Sequence, residues 1–153
     1  MALNIGDNAP NFSGTKLDGE AISLADYKGK KNVFLVFYPK AFSGVCATQL
    51  PRYNANLDGF ASRDTEVVAV SVDNAFSQQA FCDSMDGINF PMVSDMTLDI
   101  ADAYGVKLDG HLAMRSEFAI DKEGVLRWIN IEKSAGDDTP TMDDIFAALG
   151  ALN

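Results

Sequence analysis

Histidine is almost missing from this chain. Among 153 residues there is one, His111, in the turn-like stretch LDGHLAM. A single imidazole cannot build a His-rich metal centre, and no Ser/His/Asp arrangement is apparent, so His111 reads as a solvated loop residue and no metal is expected. Cysteine is scarce too. There are two, Cys46 and Cys82, with no CxxC pair and no disulfide framework. No Gly-rich nucleotide-binding loop is present, and no organic cofactor is expected. The longest apolar run, Val33 to Tyr38, is far too short to span a bilayer. Basic residues are outnumbered: 12 Lys and Arg face 22 Asp and Glu, a formal net charge of −10. Such a surface repels phosphate backbones and anionic lipid, which disfavours nucleic acid and membranes as partners. The first residues, MALNIGDNAPNF, lack the basic and apolar regions of a secretory signal. The expectation is a cytoplasmic protein with reduced thiols. Without repeats, low-complexity tracts or linkers, one domain over residues 1–153 is expected.

What is present is a soluble globular composition, 47% hydrophobic and 22% charged. TKLDGEAISL reads as an N-terminal hairpin turning at Asp18-Gly19. Val33 to Tyr38 and EVVAVSV, residues 66 to 72, are continuous apolar runs rich in β-formers, as in strands buried on both faces. A helix is expected between them from Ser43 to about Ser62. Strand, helix, strand at this length implies a parallel pair with a right-handed crossover. Residues 74 to 86 read as a helix. SDMTLDIADAYGV reads as another, capped by Ser94 or Asp95 and stopped at Gly105. Phe118 to Ile120 and Val125 to Ile131 read as two strands about the turn DKEG. Trp128, in the second, reads as core packing. A last helix starts in DTPTMDD, with Thr139 as its N-cap and Pro140 as its first residue. This order predicts an α/β, thioredoxin-like fold: a central mixed sheet flanked by helices, with an N-terminal β-hairpin extension.

The stretch FYPKAFSGVCATQL carries the chemistry. A buried strand ends, and Cys46 follows at the start of a helix, where ligands gather in open α/β sheets. With Ser43 as N-cap, Cys46 falls in the first helical turn, whose unpaired N–H groups and dipole favour an anion. The thiolate is the reactive form of cysteine. Pro39 stiffens the loop, Ser43 offers a hydroxyl near the sulfur, and Gly44 leaves room for a small ligand. On position alone, Cys46 could equally be a small buried apolar residue.

The stretch resembles the active-site signature of the peroxiredoxins, Pro-x-x-x-Thr/Ser-x-x-Cys, here Pro39, Ser43 and Cys46. The likeness continues through VFLVFYP, CATQLPRY, FPMVSD, AYGV and RSEFAIDKEGVLRW. Gln49 stands where many members have Glu, and Gly44 where many have Pro. The resemblance implies a thiol-dependent peroxidase acting on hydrogen peroxide and organic hydroperoxides. Cys46 would attack the peroxide and become a sulfenic acid, with Ser43, the Cys46 N–H and Arg115, in AMRSEF, as stabilising donors. It implies a thiol reductant: thioredoxin, glutaredoxin or a low-molecular-weight thiol.

Cys82 is the candidate resolving thiol. On a helix its angular neighbours are Gln78, Met85 and Asp86, a mixed sector leaning polar, so an accessible thiol is expected. FCDSMDGINFPMVSD resembles the PrxQ, or bacterioferritin-comigratory, type, whose members carry an intramolecular resolving cysteine on this helix. The loop AFSGVC also resembles the single-cysteine alkyl hydroperoxide reductase E type. The alternatives are an external resolving thiol, or a redox sensor passing oxidation from Cys46 to a partner. A monomer or homodimer is expected, since the chain stops soon after TMDDIFAAL.

Overall fold

The computed structural model describes residues 3–42, 44–108, 111–133 and 138–152. Two antiparallel strands, β1 (Ser13–Thr15) and β2 (Ala21–Ser23), form the N-terminal hairpin. Gly19 takes φ 88° in its turn, and the Asp18 carboxylate accepts from the Glu20 N–H at 3.0 Å.

The central strand, β3 (Asn32–Phe37), is buried at every residue. It pairs in parallel with β4 (Thr65–Ser71) and antiparallel with β8 (Ser116–Ile120). Beyond β4 lies parallel β5 (Met92–Ser94), and beyond β8 lies antiparallel β9 (Leu126–Ile131). The order β5-β4-β3-β8-β9 is the mixed thioredoxin-like sheet. A small hairpin, β6 (Lys107–Leu108) and β7 (Leu112–Ala113), carries His111 exposed in its turn.

Strand residues alternate between faces, so β3 feeds two cores. Val33, Leu35 and Phe37 meet Phe118, Tyr104 and the hairpin on one side. Phe34, Val36 and Tyr38 meet Cys46, Leu50, Tyr53, Phe60, Phe81 and Cys82 on the other. Trp128 is half-buried against the second core and stacks on Phe34 at 6.4 Å.

The expected helix over 43–62 is two helices, α1 (Cys46–Ala55) and α2 (Leu57–Ala61). They part at Asn56, whose side-chain amide donates to the Arg52 carbonyl at 2.7 Å. Helix α3 (Ala75–Ser84) is capped by Asn74, which accepts from the Ser77 N–H at 2.8 Å. Helix α4 (Asp99–Ala103) is shorter than expected because Leu98 sits at φ 61°. Asp95 nevertheless serves its N-terminus, accepting from the Ile100 and Ala101 N–H groups at 3.1 and 2.9 Å. Helix α5 (Met142–Gly150) starts two residues later than expected. Thr141 is its N-cap, in a capping box with Asp144, because the Thr139 hydroxyl is committed to Glu132 at 2.6 Å.

Candidate active site

Helix α1 begins at Cys46, preceded by Val45 with no side-chain cap. Ser43, expected as the cap and as a catalytic donor, lies outside the described residues. The loop from β3 is held from below. The Ala41 N–H donates to Asp73 at 2.7 Å, and Ser71 donates to the same oxygen at 2.8 Å. Phe42, exposed at φ 66°, is a non-glycine residue in the left-handed region, one residue before Ser43. Its ring lies 5.2 Å from that of Phe81.

Cys46, Gln49, Leu50 and Tyr53 are the buried stripe of α1, at the i, i+3, i+4, i+7 spacing of one helix face. That stripe lies against the odd residues leading into and along β8 and against Trp128 and Asn130 of β9, while a bulge turns Leu126 to the other core. Glu117 pairs with Val36 across β3 and with Asn130 across β9, so Arg115, Glu117, Trp128, Asn130 and Glu132 share its face by period two.

The side chains connect. Arg115 is 7% exposed, and its Nη1 donates to Cys46 Sγ at 3.1 Å and to Gln49 Oε1 at 2.9 Å. The Gln49 amide donates to the Tyr53 hydroxyl at 2.8 Å and to Glu117 Oε2 at 3.2 Å. Glu117 Oε1 accepts from Asn130 at 2.8 Å. Arg115 Nε stands 3.9 Å from Glu132 Oε1, which accepts the Thr139 hydroxyl. Glu117 has no exposure, and burial is the main cause that pushes its carboxyl up to about 9, with the Glu132 carboxyl beside it next. Tyr53 is likewise pushed above the usual phenol range, chiefly by burial and then by Glu117.

The structure thus unites Cys46 with Arg115, residues distant in sequence. Pro39 stands at the mouth. A cavity of about 250 Å³ is lined there by Pro39, Leu108, Ala113, Met114, Arg115 and Glu132. Cys46 itself has no exposure, so access to its sulfur runs past the guanidinium or requires loop motion. Glu117 and Glu132 escaped the sequence reading, which named Gln49 only as a departure from the family pattern. Nothing local marks those two acids; only the pairing of β8 with β9 brings them to the face beneath the α1 stripe.

Cys82 departs from expectation. It is 3% exposed, with Sγ 2.9 Å from Met92 Sδ. Gln78 is the reason. This polar neighbour is wholly buried, donating to Ser71 Oγ at 3.0 Å and to the Val93 carbonyl at 2.9 Å, so the sector that leans polar is the face α3 turns to β5. Burial pushes the Cys82 thiol up to about 11. No three or more His, Cys, Asp or Glu among the described residues are grouped to hold a metal. No described helix is long and apolar enough to cross a membrane.

A buried thiol under a buried guanidinium, at a strand-to-helix junction of a thioredoxin-like sheet, suits peroxide chemistry. Known proteins agree. The AhpC/TSA family model matches residues 5–129. Peroxiredoxin tpx1 of Schizosaccharomyces pombe is 38% identical over 163 aligned positions, covering 100% of this chain and 82% of that protein. This chain belongs to the peroxiredoxin family. Peroxiredoxin-2 of Rattus norvegicus is also 38% identical, over 84% of this chain and 69% of its own length. Among solved structures, Mycobacterium tuberculosis AhpC superposes with a TM-score of 0.87 at 25% identity, covering 99% of this chain and 94% of its own. Plasmodium yoelii thioredoxin peroxidase I superposes at 0.84 with 31% identity, covering 97% and 90%. As a peroxiredoxin, the chain is a thiol peroxidase.

Proposed function

We propose that Cys46 is the peroxidatic thiol and that it reduces hydrogen peroxide and organic hydroperoxides. The thiolate attacks the terminal peroxide oxygen. The O–O bond breaks, sulfur gains a hydroxyl as sulfenic acid, and the departing alkoxide or hydroxide takes a proton from solvent. Arg115 supplies the cation over the reacting atoms, and its contact with Cys46 Sγ at 3.1 Å is the observation that carries the reading. A guanidinium suits the task because it stays charged and donates in a fixed fork. Pro39 shapes the entry, and Ser43 supplies the further donor. The apolar lining from Leu108, Ala113 and Met114 suits the carbon chain of an organic hydroperoxide.

Resolution by Cys82 is the first reading of the second step. The thiol condenses with the sulfenic acid, and water leaves as the S–S bond forms. Both sulfurs belong to one apolar cluster, which supports it. Burial and the raised thiol of Cys82 favour the second reading, an external thiol acting on a persistent sulfenic acid. The reductant is thioredoxin, glutaredoxin or a small thiol. The test is intact mass one second after one equivalent of hydrogen peroxide. Loss of two hydrogens assigns Cys82 as resolver, and gain of one oxygen assigns an external thiol. An unchanged mass overturns Cys46 as a peroxidatic residue.

A further inference from the structure

Resting on Cys46 as the peroxidatic thiol, we propose that Glu132 is the standing counter-ion of Arg115. It holds the Nε edge of the guanidinium so that Nη1 faces the sulfur, and it takes up that edge once the charge on sulfur is spent. Glu132 is then a positioning residue, acting on peroxide only through Arg115.

Strand pairing puts the two side chains together. The Glu132 N–H donates to the Arg115 carbonyl at 3.0 Å, which carries the β8–β9 ladder one step past the Ser116 and Ile131 pair. Residues directly opposite in an antiparallel pair share a face, and opposite charges there attract. Arg115 Nε stands 3.9 Å from Glu132 Oε1, with the side chains 7% and 1% exposed. The Thr139 hydroxyl donates to that same oxygen at 2.6 Å and anchors the carboxylate from the segment before α5. Charges so deeply buried need partners. Arg115 and Glu132 form no ion pair with any other described residue.

Two buried atoms are left over, and they match. Arg115 Nε is a donor and Glu132 Oε2 an acceptor, and neither has a hydrogen-bond partner among the described residues. The guanidinium stands short of the carboxylate because Nη1 is committed elsewhere, to Cys46 Sγ at 3.1 Å and Gln49 Oε1 at 2.9 Å. Of those two acceptors only the sulfur can bear charge, and only as thiolate. Gln49 is neutral, and the Glu117 carboxyl bonds Gln49 and Asn130 rather than Arg115. The sulfur loses its charge on becoming a sulfenic acid. Without Glu132, the buried guanidinium would from that moment have no anion beside it, a costly state. Glu132 supplies that anion at every stage. With the thiolate gone, the guanidinium fork closes on the carboxylate and both leftover atoms find partners.

The test joins kinetics to a spectroscopic signature of Arg115. Glu132→Gln keeps an acceptor for Thr139 but removes the charge. It is expected to slow single-turnover oxidation of Cys46 by hydrogen peroxide about tenfold, and to change the rate less than about twofold in an Arg115→Met background. Thr139→Val, which loosens Glu132 without discharging it, slows the same step about threefold. Circular dichroism of each variant establishes that it folds. In 15N-labelled protein at pH 8, the Arg115 Nε–H signal is assigned by its loss in Arg115→Lys. In Cys46→Ser, whose hydroxyl is uncharged, that N–H is expected to exchange with solvent about tenfold more slowly than in the unaltered protein, and Glu132→Gln abolishes the difference. Equal slowing by Glu132→Gln with and without Arg115 would make Glu132 a merely structural residue and overturn the proposal. So would an unchanged rate in Glu132→Gln, or Nε–H exchange indifferent to Cys46 and Glu132. If Cys46 of the unaltered protein is never oxidised, the peroxidase reading itself fails and the positioning role falls with it.

Discussion

At the residue scale, the site is one guanidinium divided among several acceptors. Arg115 holds the sulfur and the Gln49 oxygen from a single nitrogen, 3.1 and 2.9 Å away. Lysine keeps the charge but not the fork. Arg115→Lys is therefore expected to slow Cys46 oxidation about a hundredfold without unfolding the protein, measured by stopped-flow single turnover. The same contacts explain Gln49. A glutamate there would set a second carboxyl against Arg115, beside Glu132, and would offer no donor to Glu117 or Tyr53. Stability carries the same signature. Folding raises the Glu117 carboxyl from 4.5 to about 9, so between those values the native state holds a proton that the unfolded chain has released. Unfolding then gives up a proton, and stability falls as pH rises through that window. Urea midpoints at pH 5, 7 and 9 are expected to show Glu117→Gln gaining on the unaltered protein at each step. A constant difference would contradict the raised carboxyl.

At the element scale, the loop and helix ends are held by carboxylates that stand just past the ends of β4 and β5. Asp95 caps α4 from outside the helix, through the Ile100 and Ala101 N–H groups. Asp95→Ala is expected to lower stability by about 1–2 kcal/mol with Cys46 oxidation unchanged, read from thermal melts and single turnovers. Asp73 does comparable work for the loop that leads to Cys46, tying Ala41 to Ser71. These ties also mark what sequence can disclose. The buried strands were legible in Val33 to Tyr38 and EVVAVSV, because continuous apolar runs bounded by turns have few alternatives. Pro39, Ser43 and Cys46 were readable as a motif, and Arg115 only through the family resemblance of AMRSEF. The start of α5 was not. The threonine chosen to begin α5 was Thr139, but its hydroxyl bonds Glu132, and Thr141 caps instead. Three-residue β5 was invisible because so short a segment carries no periodicity. Glu117 and Glu132 were invisible for a different reason. Each is a lone acid in a strand pattern, and only the pairing of β8 with β9 brings them to one face.

At the scale of the whole molecule, the sheet separates two cores, and both thiols lie on the same side of it. That placement favours their meeting, yet packing opposes it. Cys82 is sealed between α3 and Met92, and its thiol is pushed up to about 11. At pH 8 roughly one molecule in a thousand carries the Cys82 thiolate. Reaction at this sulfur thus depends on opening the end of α3, a local event that leaves the rest of the sheet intact. In a Cys46→Ser variant, iodoacetamide is expected to alkylate Cys82 at least about a hundredfold more slowly in buffer than in concentrated urea. The rate in buffer rises close to tenfold per pH unit through pH 10 rather than levelling near pH 9, because the folded chain keeps the proton that the unfolded chain has lost. Equal rates in buffer and urea would mean that α3 stands open in solution. In that case Cys82 would need no unfolding step to reach a sulfenic acid at Cys46, and the disulfide would form as fast as the sulfenic acid itself.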